Sequence, residues 1–197
     1  MKGLFFSNKL IEIFFTFKGS DVQWDNTASM HQTHSSKILH VERSGVYEAD
    51  GLYTGSRVPL LIKVADCVPV FFWNNETIGV VHAGWRGVFL GIIGNLIKTI
   101  GKGYYILGPS ICGECYEVGE ELYNKFIGKF PFLKGYFKYK RDNKFLMDLR
   151  GSVRFLLDRA GFIEESFPEF CTFHSDLFYS YRKGDEHKRN IGIIKRR

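Results

Sequence analysis

Short apolar runs punctuate the first half of the chain: Ile11 to Phe17, Lys37 to Val41, Leu60 to Val64, Val68 to Trp73 and Ile78 to His82. Their brevity and their β-branched and aromatic content predict strands. Asn74-Asn75-Glu76 between the last two predicts a hairpin turn, in which Asn takes positive φ. The period changes just after Gly87. Phe89, Ile92, Ile93, Leu96, Ile97 and Ile100 follow the i, i+3, i+4, i+7 stripe of a helix, and Gly101 stops it. A second helix is predicted from Val118 to Phe126, with Glu120 and Glu121 at its positive dipole end. A third follows Asp148 as N-cap, with Leu149, Val153, Leu156, Leu157 and Ala160 on one face and Gly161 as C-cap. Strands interspersed with helices predict an α/β or α+β protein in which mixed β-sheets are flanked by helices. Residues 1–197 hold no repeat, low-complexity tract or Pro/Ser-rich linker, so one domain is expected.

Soft metal ligands fall within this pattern. Cys67 lies in Ala65-Asp66-Cys67-Val68-Pro69-Val70 and His82 in Val81-His82-Ala83-Gly84-Trp85-Arg86-Gly87. If their strands pair through the turn near Asn74-Asn75, both residues lie at one end of the ladder, where neighbouring strands are ~4.8 Å apart. A third ligand is available from His31-Gln32-Thr33-His34, and the residues leave open which imidazole supplies it. One thiolate and two imidazoles suit Zn²⁺ or Cu²⁺, and three protein ligands leave a coordination position for water or substrate. Asp50 and Asp66 are the nearest carboxylates; either orients a His or acts as a base. The Gly-bracketed Trp85-Arg86 turn opens a helix and suits an anion, or only permits a sharp bend. Phe178-Tyr179-Ser180-Tyr181-Arg182-Lys183-Gly184 sets rings beside cations, as a base or phosphate clamp does, or forms an edge strand.

Composition narrows the field. Hydrophobic residues at 45% and charged residues at 24% are ordinary for a globular chain, while 16% aromatics point to a ring-rich core. The formal charge of +6 suits an anionic substrate. The cations are scattered, however, and the one dense cluster, Lys195-Arg196-Arg197, reads as solvated surface, so no nucleic-acid partner is expected. No apolar run approaches the ~20 residues of a membrane span. Leu4-Phe5-Phe6 is broken by Ser7-Asn8-Lys9 before a signal sequence can form, and a cytoplasmic location is expected. Cysteines are then reduced: Cys112-Gly113-Glu114-Cys115 reads as a loop with incidental thiols, and Cys171 as buried filler.

Taken together these motifs resemble the multicopper polyphenol oxidase, or laccase-domain (YfiH-like), family, since described as zinc-dependent purine nucleoside phosphorylases. The resemblance runs through Gln32-Thr33-His34, Glu48-Ala49-Asp50-Gly51-Leu52, Ala65-Asp66-Cys67, His82 to Gly87, Leu107 to Ile111, Cys115 to Val118, Asp148-Leu149, Cys171-Thr172 and Phe178 to Arg182. It implies the YfiH-like fold and metal ligands at His34, Cys67 and His82, choosing His34 over His31. It further implies phosphorolysis of adenosine, inosine or methylthioadenosine, with adenosine deamination beside it. On that basis Cys67, His82, Arg86 and Asp66 are the expected catalytic set. Arg86, Gly84, Arg182 and Tyr181 are the expected substrate and phosphate contacts. The expected ion is Zn²⁺, with Cu²⁺ the alternative, and the protein is expected to be a monomer or homodimer. The chain departs from the family pattern at Val64 (usually Thr), Ser35 (usually Gly) and Lys188-Arg189 (usually Gly-Arg), and its segment before residue 30 is abbreviated. Copper oxidation of phenols is disfavoured, because six histidines (31, 34, 40, 82, 174, 187) cannot furnish a blue-copper site and a trinuclear cluster. Two other readings are a metal-free hydrolase with Cys67 as nucleophile and His82 as base, and a closed structural zinc site drawing a fourth ligand from Cys112, Cys115 or Cys171.

Overall fold

A computed structural model describes residues 2–20 and 24–197. Strands β1 (Gly3–Ser7) and β2 (Ile11–Thr16) open the chain as a hairpin. They are followed by β3 (Ala28–His31), β4 (Ile38–His40), β5 (Gly45–Glu48), β6 (Gly51–Thr54), β7 (Leu60–Val64), β8 (Val68–Trp73) and β9 (Ile78–Ala83). Helices α1 (Trp85–Leu90) and α2 (Ile92–Ile100) lead to β10 (Tyr104–Leu107). The remainder runs β11 (Glu117–Gly119), α3 (Glu120–Lys129), β12 (Phe137–Arg141), β13 (Lys144–Met147), α4 (Leu149–Arg159), β14 (Ile163–Glu164) and β15 (Asn190–Arg196). Among the described residues, one six-stranded sheet has the order β1-β2-β15-β7-β3-β5, a second has β14-β10-β8-β9-β6-β4, and β11-β13-β12 form a small third. This is a mixed α+β fold of several sheets flanked by helices.

The second sheet is the middle layer. All of β8 and β9 is buried. Alternation along the strands explains how one sheet serves two cores. Val68, Val70, Phe72, Val81 and Ala83 pack on Val88, Ile92, Ile93 and Leu96 of the helices and on Val153 and Leu157 of α4. Phe71, Trp73, Ile78 and Val80 turn the other way, onto Ile11, Ile13, Phe15, Ile62 and Ile194 of the first sheet. A strand covered on both faces needs a continuous apolar run, which is why these segments show no polar alternation. Gly79 stands opposite Phe72 in the ladder, and a Cβ there would overlap the Phe72 ring.

The hairpin and most helix expectations hold, with adjustments. β8 and β9 pair antiparallel through the turn after Trp73, but neither Asn74 nor Asn75 takes positive φ. The Asn74 carboxamide oxygen instead accepts from Glu76 N (2.9 Å) and Thr77 N (2.8 Å). The positive-φ hairpin turn lies at Asp142-Asn143, joining β12 and β13. The helix expected after Gly87 begins at Trp85 and breaks at Gly91, whose φ of 100° glycine alone tolerates readily. Val118 belongs to β11, so α3 starts at Glu120, with both acids in its first turn. Asp148 caps α4 by accepting from Gly151 N at 2.8 Å, and Gly161 takes φ +84° just past its end. The basic tail is a correction. Lys195 and Arg196 belong to β15, inside the first sheet, and Lys195 (2.8 Å) and Arg197 (3.5 Å) pair with Glu12. No helix among the described residues is long and apolar enough to cross a membrane.

Candidate functional site

The β8–β9 ladder places Pro69 opposite His82 and Val68 opposite Ala83. Cys67 therefore faces Gly84, one step beyond the strand ends, and His82 sits two rungs along, on the same face of the ladder. His34 arrives from the turn after β3, where its φ of 60° folds the chain back over the ladder end. The ligand atoms of His34, Cys67 and His82 lie within 4.8 Å of one another, a separation that one ion at 2.0–2.3 Å from each can span. The two imidazole rings stand edge to face at 4.8 Å. Among the described residues this group has three members, so a position stays open. His31 ends β3 and does not join the group.

Asp50 holds two of the three ligands. It is wholly buried, and its Oδ1 lies 2.9 Å from His82 Nδ1, leaving Nε2 as the nitrogen for an ion. The same carboxylate accepts from His34 N (2.9 Å), Thr33 N (3.1 Å), Ser35 N (2.7 Å) and Ser35 Oγ (2.7 Å). Burial alone would raise the Asp50 pKa, but the hydrogen bonds from His82 and Ser35 hold it far below the usual carboxylate range. Burial likewise opposes charge on Cys67 and His82, yet each stabilises the other. The thiol is brought down to about 6, with His34 assisting, and the imidazole is pushed up to about 9, with Asp50 assisting. The thiolate is the ligand form of Cys67, whereas His82 must give up its ring proton before it can hold a cation.

Gly84 leaves room for the ligands. A Cβ there would lie 3.0 Å from Cys67 Sγ and 3.2 Å from His34 Cδ2, in the space the ligands share. Gln32 acts as an extra rung between β3 and β7: its side chain donates to Lys63 O (2.8 Å) and accepts from Lys63 N (3.1 Å).

These ligands form the floor of a cleft of about 610 Å³, within the range typical of small-molecule sites. Arg86, Tyr181 and Arg182, anticipated from sequence, line it, as does Arg189 from the segment that departs from the family pattern. Arg86 stacks over Trp85 at 5.2 Å, and Arg182 stacks over Tyr116 at 4.9 Å while its Nη2 donates to Glu117 O at 2.9 Å. Lys63, Ile111, Tyr116 and Leu149 also line it and were not anticipated. Lys63 is the one exposed residue of an otherwise apolar strand, a signal present in the sequence. Asp66 is committed elsewhere: Oδ1 accepts from Thr172 Oγ1 (2.6 Å) and Oδ2 from Arg182 N (2.8 Å). It ties the late segment to the Cys67 turn, at a φ of 84°.

The other cysteines correct one expectation. Cys171 is not buried filler: it is partly accessible and converges with Cys112, Cys115 and His174, and none of these joins the ligand group in the cleft.

Fold and site thus define a mixed α+β protein with a His/Cys group, able to hold a metal ion, at the floor of a cationic cleft. The chain matches the multi-copper polyphenol oxidoreductase laccase family over residues 16–197 and belongs to that family. It is 35% identical over 170 residues to a purine nucleoside phosphorylase of Deinococcus radiodurans, a match covering 81% of this chain and 65% of that protein. A purine nucleoside phosphorylase of Rickettsia conorii is 33% identical over 156 residues, covering 74% and 63%. The chain thus spans less than two thirds of the length of these relatives. Among solved structures, a Neisseria meningitidis protein superposes with a TM-score of 0.86 at 22% identity, covering 100% of this chain and 99% of that one. Bacillus licheniformis YfiH superposes at 0.80 with 25% identity, covering 94% and 92%.

Proposed function

We propose that this chain is a zinc-dependent purine nucleoside phosphorylase with adenosine deaminase activity, and that residues 1–197 act as one domain. The observation that carries the reading is the three-ligand group of His34, Cys67 and His82 at the floor of a cleft lined by Lys63, Arg86, Arg182 and Arg189. The relatives at 33–35% identity are named purine nucleoside phosphorylases, which supports the phosphorolysis in this reading. That both cores are built on the two faces of one sheet supports a single functional unit.

In phosphorolysis a phosphate oxygen bonds to the ribose C1′ as the C1′–N9 bond breaks. The purine leaves with the electron pair and takes up a proton. The donor set fits zinc, and His34, Cys67 and His82 would hold it, supplying a Lewis acid with one open position. The cationic side chains bind phosphate and spread its charge, with Arg86 as the leading bidentate partner. Tyr181, on the cleft wall, offers a ring to the base. Asp66, with both oxygens engaged, positions Arg182 and the Cys67 turn rather than moving a proton. Deamination exchanges the adenine amino group for a water oxygen and releases ammonia.

A second reading has its own observation: Asp50, His82 and the lowered Cys67 thiol form a carboxylate–imidazole–thiol series as in cysteine hydrolases. One experiment separates the two. Metal content is measured on the purified protein, and adenosine is then supplied with and without phosphate. Zinc near one equivalent or more, with adenine formed only when phosphate is present, supports the proposal. Bound zinc with neither adenine nor inosine overturns it, and a metal-free protein whose Cys67 alkylates freely favours the hydrolase.

A further inference from the structure

Cys112, Cys115, Cys171 and His174 present four ligand atoms within 4.8 Å of one another, from two segments far apart in sequence. Each segment brings a pair of ligands to one side by a tight turn. Cys115 N and Tyr116 N both donate to Cys112 O at 3.1 Å, and Ser175 N donates to Cys171 O at 2.9 Å. The segments are then laid side by side through Ser110 and Cys171: Ser110 N donates to Phe170 O (3.3 Å) and Thr172 N to Ser110 O (3.1 Å). Cys112 N points at Cys171 Sγ (3.4 Å), and Cys115 Sγ lies 3.0 Å from His174 Nε2. The result is a Cys-x-x-Cys hook facing a Cys-x-x-His hook, the spacing and donor chemistry of closed zinc sites.

We propose that these four side chains bind a second zinc ion, independent of the cleft and purely structural. Three sulfurs and one imidazole complete a tetrahedron, so no position remains for water or substrate. Binding releases the thiol protons to solvent and involves no change of oxidation state. A disulfide would use two of the thiols and give the third and His174 no reason to converge, whereas one ion uses all four.

The position of the cluster gives the ion a task. The first hook leads directly to Ile111 and Tyr116, and the second to Thr172, with Arg182 further along; all but Thr172 line the cleft. Both segments also fasten on Asp66, through Ile111 N to its carbonyl (3.0 Å) and through Thr172 and Arg182 N to its carboxylate. Zinc between the hooks would lock the wall of the cleft that carries the Arg182–Tyr116 stack.

Native mass spectrometry of the full chain with zinc present, read on three proteins, tests this. The parent should carry two ions, the His34→Ala/His82→Ala variant one, and the Cys112→Ser/Cys171→Ser variant one. Peptide mapping after iodoacetamide should find Cys112, Cys115 and Cys171 of the zinc-loaded parent protected until chelation, which needs no variant to fold. Cobalt added to the zinc-free His34→Ala/His82→Ala variant should give a thiolate-to-metal absorption band. Alkylation of all three cysteines at the same rate with and without zinc, or a Cys112–Cys171 or Cys115–Cys171 disulfide in the freshly purified protein, would overturn the proposal. A single ion lost only in the His34/His82 variant would do so as well, while leaving the cleft proposal intact.

Discussion

Asp50 and His82 share a 2.9 Å hydrogen bond in a wholly buried setting, and the carboxylate that makes it also grips the backbone of Thr33, His34 and Ser35. One side chain therefore fixes the ring orientation of one ligand and the path of the chain at another. Asp50→Asn keeps the shape but removes the charge and one acceptor. Partners of this kind tune metal affinity ~10- to 100-fold, and a loss of that size is expected in competitive zinc titration. An unchanged affinity would remove Asp50 from the site.

Cys67 should betray its surroundings by its reactivity. A thiol lowered to about 6 is thiolate above that pH and protonated below it. Alkylation of the chelated protein at Cys67 should therefore rise with a midpoint near 6 and fade as pH falls through it. His82→Ala removes the largest favourable charge and should move the midpoint up toward the ~8.5 of an ordinary cysteine. Added zinc should suppress the reaction at all pH values where it binds.

Gly84→Ala tests the steric argument. The added methyl meets Cys67 Sγ and His34 Cδ2 at 3.0 and 3.2 Å, while the φ of −76° at this position suits any residue. The variant should fold with near-parental thermal stability yet bind zinc more weakly. Equal weakening of stability and binding would mean that the fold, not the ligand space, is what the methyl disturbs.

Arg86→Ala should act on phosphate. A hydrogen bond to a charged group contributes ~1.5–3 kcal/mol, so the KM for phosphate should rise ~10- to 100-fold in phosphorolysis, with phosphate-independent deamination retained. Arg86→Lys should restore little, because a single ammonium lacks the guanidinium fork. An equal fall in both activities would assign Arg86 to the nucleoside instead.

In the middle layer, Gly79→Ala forces the Phe72 ring out of a fully buried position. Overpacking of this kind costs ~1–3 kcal/mol, to be read as a lower midpoint in urea unfolding at unchanged slope.

How much of this was legible beforehand depended on whether the signal was local. The runs 60–64, 68–73 and 78–82 read as strands because burial on two faces leaves them uniformly apolar, and Asp148 announced α4 because capping acts over three residues. The β8–β9 pairing brought Cys67 near His82 by counting alone. Asp50 could be named as an orienting carboxylate, but not chosen over Asp66, because their partners lie 32 and 106 residues away. β15 was hidden by its terminal charges, which looked solvated until Glu12 appeared across the sheet. The Cys112/Cys171 cluster went unread for the same reason: each hook alone is weak, and 59 residues separate Cys112 from Cys171. Helix starts shifted by two or three residues, and the break at Gly91 was not expected, because a glycine within an apolar stripe does not show whether it bends the chain or only packs.

The order β1-β2-β15-β7 has a consequence for how the chain assembles. The opening hairpin touches the rest of its sheet only across β15, which arrives last. Until residues 190–196 are threaded between β2 and β7, antiparallel to both, a growing polypeptide carries a slot with two bare strand edges. Closing it joins β15 to β2 across more than 170 residues and to β7 across more than 120, a slow step for any folding chain, and one during which those edges invite a stray strand from a neighbour.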